Sequence, residues 1–186
     1  MKSNSTKKIV KICLIGVMAA LVYAVSTFID IPIPTGLGKT RLHLGNAMCL
    51  LSGLILGPVG GGFAAGLGSA FYDLLKPEYI TSAPFTFAFK FLMAWLCGII
   101  AHPKKEKAKL NLRYIIGATS GALLYVVLYL SKNFIEDRFV YGHAFELAMA
   151  EVVTKGTVSL FNAMTGILVA VPLYLALKPA LKRFNI

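Results

Sequence analysis

Apolar stretches near the length of a bilayer crossing, parted by short polar segments, constrain this chain more than any other feature. Taking about 20 apolar residues per crossing, the sequence predicts helices near 10–29, 42–57, 59–76, 84–101, 112–132 and 145–177. The second and third are short, and only Gly57-Pro58-Val59-Gly60-Gly61-Gly62 is left to turn between them. Such a hairpin is expected to tilt or to be shielded by its neighbours. Hydrophobic residues make up 57% of the chain and charged ones 15%, against about a quarter charged in soluble domains. The expected fold is therefore a single all-α membrane domain over residues 1–186, with no soluble module, long linker or internal repeat.

The net charge of +11 invites a nucleic-acid reading. The basic residues, however, form no stripe with interleaved aromatics; they cluster between apolar segments, as topology signals do. Counted in alternate segments, twelve of the nineteen Lys and Arg residues fall on one side, with Glu106 as the only acid among them. That side is predicted to be cytoplasmic and to carry both termini. The first apolar run follows Lys7, Lys8 and Lys11 and ends near Ala24-Val25-Ser26, in imitation of a signal peptide. Its length and the charge pattern favour a retained helix.

Gly38-Lys39-Thr40 matches the end of a phosphate-binding loop, but Ile33 stands where that motif needs its first glycine. Pro32 and Pro34 argue against a central strand in front of it. The segment is also predicted to face outward, where no nucleotide pool exists. Residues 30–41, with Lys39 and Arg41, instead read as an adaptable lid over an outward pocket.

Ionisable residues inside spans are costly and mark function by default. On the last helix Glu151, Lys155 and Asn162 lie within about 40° of one another, with Ser159 on the border of their stripe. Asp73 and Lys90 sit near the same outer end, and Tyr125, Tyr129 and Lys132 share a face of the fifth helix. One reading pairs Glu151 with Lys155 and Asp73 with Lys90 as helix glue, Asp73 continuing a packing stripe with Ser69, Gly66 and Gly62. The other makes the stripe a pocket for a small polar ligand, with Trp95, Tyr125 or Tyr129 stacking on its ring. The expected ligand-binding set is Lys90, Trp95, Tyr125, Tyr129, Glu151, Lys155 and Asn162. On the first helix Gly16, Ala20 and Ala24 form a small-residue ridge with Thr27, suited to a partner helix.

Cys13, Cys49 and Cys97 lie in separate apolar segments without CxxC spacing, and His43, His102 and His143 are scattered. They predict no disulfide framework, metal site or cofactor. Nothing matches HExxH, GxSxG or a paired-carboxylate site, so no enzyme is expected. At 186 residues the chain is small for a secondary transporter built of paired repeats.

Three stretches carry a family resemblance: "GVMAALVYA" (Gly16–Ala24), "RLHLGNAMCLLSGLILGPVGGGFAAGLGSAFYDLL" (Arg41–Leu75) and "PFTFAFKFLMAWLCG" (Pro84–Gly98). With them the chain resembles a substrate-binding S component of the energy-coupling factor (ECF) vitamin transporters, over nearly its whole length. The resemblance implies six helices with cytoplasmic termini in the bacterial plasma membrane. It implies capture of a vitamin from outside, and docking on a membrane coupling (T) subunit driven by two cytoplasmic ATPases. It places Ala20 and Ala24 against that subunit, with Gly16 extending the ridge, and makes loop 30–41 the gate. The chain looks most similar to the hydroxymethylpyrimidine branch, with vitamin B6-type and riboflavin-type relatives nearby. The alternatives are an S component for another vitamin such as riboflavin, or an autonomous ion-coupled transporter using Asp73, Lys90, Glu151 and Lys155.

Overall fold

A computed structural model describes residues 4–103 and 110–183, with the side chains of 8–103 and 112–181. The chain runs through α1 (Asn4–Phe28), β1 (Asp30–Pro34), β2 (Lys39–His43) and α2 (Gly45–Leu74). A short turn at Ile80–Ser82 leads into α3 (Ala83–Ala101). Then come α4 (Leu110–Ile135), a π-helical turn at Glu136–Val140, and α5 (Phe145–Arg183). Five of these helices are long and apolar enough to cross a membrane.

α2 is one element only by hydrogen-bond continuity. Gly57 stands at φ 73° and ψ −173°, a conformation that only glycine adopts readily, and Pro58 follows it. Beyond this break the helix folds back on itself. Ser52 Oγ donates to the Gly61 carbonyl at 2.9 Å, and the Cys49 and Ser69 side chains meet at 3.5 Å. In an unbroken helix residues 49 and 69 would stand about 30 Å apart. The limbs touch because they lack side chains between them: a Cβ on Gly61 would fall 2.5 Å from Gly53 Cα. Gly62 and Gly66, expected to pack closely, receive the rings of Phe91 and Phe87 from α3.

Counting the two limbs of α2 separately, the helical segments alternate in direction. Lys11 reaches Gly60, Gly98 abuts Pro58, and His102 Nε2 lies 2.7 Å from the Leu54 carbonyl. Tyr114 and Tyr174 pack edge to face at 4.7 Å. These contacts gather the beginnings of α1 and α4, the α2 turn and the ends of α3 and α5 at one end of the bundle.

The core is built from small and flexible side chains, including Leu50, Leu54, Met93, Ala94, Cys97 and Ala122. Large apolar residues such as Val17, Val127, Val153, Met164 and Leu168 are exposed. Asp73, Lys90, Glu151, Lys155 and Asn162 are buried. This inversion suits a bundle solvated by lipid, where polar groups must find partners inside.

The sequence reading of 30–41 as a loop differs from the structure, which folds β1 and β2 into an antiparallel ribbon. Asp30 pairs with His43 and Pro34 with Lys39. A two-stranded ribbon consists only of edges, so each strand leaves one row of amides unpaired, and the missing N–H groups of Pro32 and Pro34 are tolerated there. The tip closes through Thr35 N–H donating to Gly38 at 2.9 Å.

Candidate functional site

At the end of the bundle opposite the Gly57 turn, the ribbon and the helix ends enclose a cavity of about 130 Å³. Its wall includes six aromatic side chains: Tyr72, Tyr79, Phe85, Phe89, Tyr125 and Tyr129. Tyr125 and Tyr129 are one turn apart on α4, which stacks their rings at 5.9 Å and 19°. The charged groups on the wall are Lys39, Arg41, Lys90, Lys132 and Asp73.

Arg41 is the hub. Its guanidinium lies 4.1 Å from the Tyr72 ring centroid and 4.8 Å from that of Tyr79. It stands 3.8 Å from Asp30 and 3.7 Å from Asp73. Burial works against its charge, but Tyr72, Asp30 and Asp73 outweigh that effect and its pKa is raised. Planar stacking together with two carboxylates is arginine chemistry that a lysine does not reproduce.

Lys90 enters from α3. It donates to Asn46 Oδ1 and stands 3.5 Å from the Tyr125 ring centroid. The anticipated Asp73–Lys90 ion pair is replaced by Asp73–Arg41, because β2 brings the Arg41 guanidinium to 3.7 Å from Asp73. His43 also reaches the cavity. Burial, with Lys90 and Arg41 adding repulsion, holds its imidazole pKa well below the ordinary value.

The polar stripe of α5 divides into two parts. Asn162 lies on the cavity wall and holds β2: its Nδ2 donates to the Arg41 carbonyl at 2.7 Å and its Oδ1 accepts from His43 N–H at 3.0 Å. Glu151 and Lys155 sit beneath the ribbon tip, off the cavity wall. Glu151 accepts from the Thr35 hydroxyl and from Leu37 N–H. Lys155 stands 3.1 Å from Glu151 and 3.8 Å from Asp137, and donates to Asn133 at 2.9 Å. The stripe thus exceeds what one ion pair requires because it receives a strand pair.

Of the residues expected to bind ligand, Lys90, Tyr125, Tyr129 and Asn162 line the cavity, as do Lys39 and Arg41 of the ribbon. Trp95 is 36% exposed on α3 and lies outside the wall. Gly16 and Ala20 are exposed on α1, with Ala24 half-buried, while Met18, Ala19 and Val22 face the bundle. Sequence reasoning overlooked Asn46, Tyr72, Tyr79, Asn133 and, as a site residue, His43. Asn46 did carry a signal, as a lone amide opening an apolar run. Tyr79 carried none, since only the ribbon's position makes it a partner of Arg41.

The family model described as "ECF-type riboflavin transporter, S component" matches residues 4–179. A Pyrococcus woesei protein described as "Uncharacterized protein in gap 3'region" is 30% identical over 107 residues. That match covers 58% of this chain and 67% of the Pyrococcus protein.

Proposed function

Because the chain belongs to the ECF-type riboflavin transporter S-component family, we propose that it is the substrate-capture subunit of an ATP-driven importer. It binds a small water-soluble vitamin or vitamin precursor from outside the cell. The observation that carries this reading is the cavity itself, with aromatic faces and charged donors beneath a ribbon at one end of a lipid-facing bundle. Such a mixture of flat apolar faces and a few placed polar groups fits a heteroaromatic solute. Riboflavin, hydroxymethylpyrimidine and pyridoxine are the first candidates.

With both limbs of α2 counted, the chain crosses the membrane six times, and the end bearing the Gly57 turn is cytoplasmic. The concentration of basic residues in the matching sequence segments supports that orientation. The ribbon is the gate through which ligand enters. Gly16, Ala20 and Ala24 dock on the coupling subunit, whose two ATPases supply the energy. Support for that surface is that a Cβ on Gly16 would meet nothing within 4 Å.

The test is mass spectrometry of small molecules released from the detergent-purified protein, followed by calorimetry with a panel of water-soluble vitamins. Submicromolar binding of one vitamin by the isolated chain is expected. Ion-gradient-driven uptake in liposomes lacking ATPases, with no vitamin bound, would sink the proposal.

A further inference from the structure

The π-helical turn between α4 and α5 inverts the polarity of an ordinary surface turn. Its acids face the protein. Glu136 stands 2.5 Å from Lys132, and Asp137, only 6% exposed, stands 3.8 Å from Lys155. The apolar side chains face away: Phe139, Val140 and the following Tyr141 are 74%, 69% and 66% exposed. A turn bathed in water is more stable the other way round, with acids outward and rings inward.

The backbone of this segment is also closed on itself. Tyr141 N–H donates to the Glu136 carbonyl at 2.9 Å, and His143 N–H to the Asp137 carbonyl at 3.0 Å. The His143 carbonyl accepts from the Arg138 guanidinium at 3.2 Å. Helix ends in water leave such groups to the solvent, whereas a segment in lipid must satisfy them internally. The exposed side chains continue two lipid-facing stripes. On α4, Leu123, Val127 and Ile135 are exposed at multiples of four residues, and Phe139 is the next step. On α5, Phe145, Met149 and Val153 are exposed at the same spacing and approach the turn from the other side.

We propose that Phe139, Val140 and Tyr141 insert into the lipid leaflet on the ribbon side of the bundle, as an anchor at the depth of the headgroups and upper acyl chains. The occupant is lipid because the patch is continuous with the lipid-facing sides of α4 and α5. Tyr141 combines a ring with a hydroxyl, which suits that layer. Arg138 is exposed beside the patch, and its long stem carries the charge toward lipid phosphates. On the protein side of the turn, Asp137 faces Lys155, which in turn faces Glu151 beneath the ribbon tip. Lipid and ribbon are thus linked through one buried lysine. The anchor goes beyond the capture-subunit reading and does not depend on what the cavity binds.

The test is fluorescence quenching of the full chain in phospholipid nanodiscs. Trp95→Phe removes the only tryptophan of the chain. In that background Phe139→Trp or Tyr141→Trp reports from the turn, and Val127→Trp from a lipid-facing position of α4. Melting temperature checks that each variant folds, and two reporter sites guard against a local failure at either. N-acetyltryptophanamide in buffer sets the level of full exposure to acrylamide. Phospholipids brominated near the top of the acyl chain are expected to quench both turn reporters at least twofold, as they do the α4 reference. Acrylamide is expected to act at least threefold less effectively on the turn reporters than on N-acetyltryptophanamide. Full acrylamide quenching without a bromolipid effect would put the turn in water. Protection from both quenchers would mean that protein, such as a second copy of the chain, covers the patch. Either result overturns the lipid anchor and leaves the capture-subunit reading intact.

Discussion

The side-chain amide of Asn162 donates to the backbone carbonyl of Arg41 at 2.7 Å, so the last helix holds the main chain of the residue that organises the cavity. The same amide accepts from His43 N–H, and one residue thereby closes two backbone groups of an edge strand.

Asn162→Ala leaves the Arg41 carbonyl and the His43 N–H without partners. Each buried unpaired group costs about 1–3 kcal/mol. A lower melting temperature is expected, together with faster amide exchange along residues 40–43 and weaker ligand binding. Asn162→Asp keeps the acceptor and loses the donor, and is expected to restore only part of the protection. Equal exchange in all three proteins would show that the ribbon does not depend on this anchor.

Glu151 fixes the ribbon tip, and Lys155 links Glu151 to Asn133 near the end of α4. Glu151→Gln keeps an acceptor for Leu37 but removes the charge facing Lys155. Exchange at 35–38 is expected to rise, and bound vitamin to leave faster. Lys155→Ala strands Glu151 and Asp137 as buried acids, at about 3–5 kcal/mol for breaking a buried pair. Stopped-flow release and melting curves separate the two effects. An unchanged off-rate in both variants would remove the tip from the gating account.

Bulk on the outer face of α1 is expected to leave the isolated chain intact, because nothing stands within 4 Å of a Cβ at Gly16 and Ala20 is exposed. Ala20→Trp should bind vitamin as wild type does. In vesicles containing the coupling subunit and ATPases it should lose most uptake. Normal transport by Ala20→Trp would mean that the partner docks elsewhere.

Gly57→Ala tests the fold-back. No atom obstructs the added methyl, so the penalty is purely conformational, about 1–3 kcal/mol for a non-glycine residue held in that region. A melting temperature several degrees lower is expected. An unchanged value would show that the backbone relaxes to another turn.

His43 carries a pH signature. Its folded pKa lies below the ordinary 6.5, so the unfolded chain takes up the proton first as pH falls. The stabilising contribution is complete above about pH 6.5. It is lost as pH drops from there toward the folded value, where Nδ1 is protonated and stops accepting from Gly45. His43→Gln offers Gly45 a non-titrating acceptor. The melting-temperature advantage of wild type over this variant is expected to shrink between pH 7.5 and pH 5. A constant difference across that range would contradict the assignment.

Local periodicity carried the parts of this protein that depend only on neighbours in sequence. The helical stretches, the reversal at Gly57-Pro58, the common face of Glu151, Lys155 and Asn162 and the small-residue face of α1 were all legible. Each follows from helix geometry and from what glycine and proline permit within a few residues. Partners across the bundle were not legible. Arg41 replaces Lys90 beside Asp73, and the α5 stripe grips a β-ribbon, because the path of 30–43 is set by packing against helices more than 100 residues later. Trp95 faces outward for a related reason, since the interior side of α3 at that level is filled by Met93, Ala94 and Cys97. Which residues share a helix face follows from their spacing along the chain; what that face meets follows from how the helices and the ribbon pack, since ion pairs and hydrogen bonds depend on distances that no local pattern encodes.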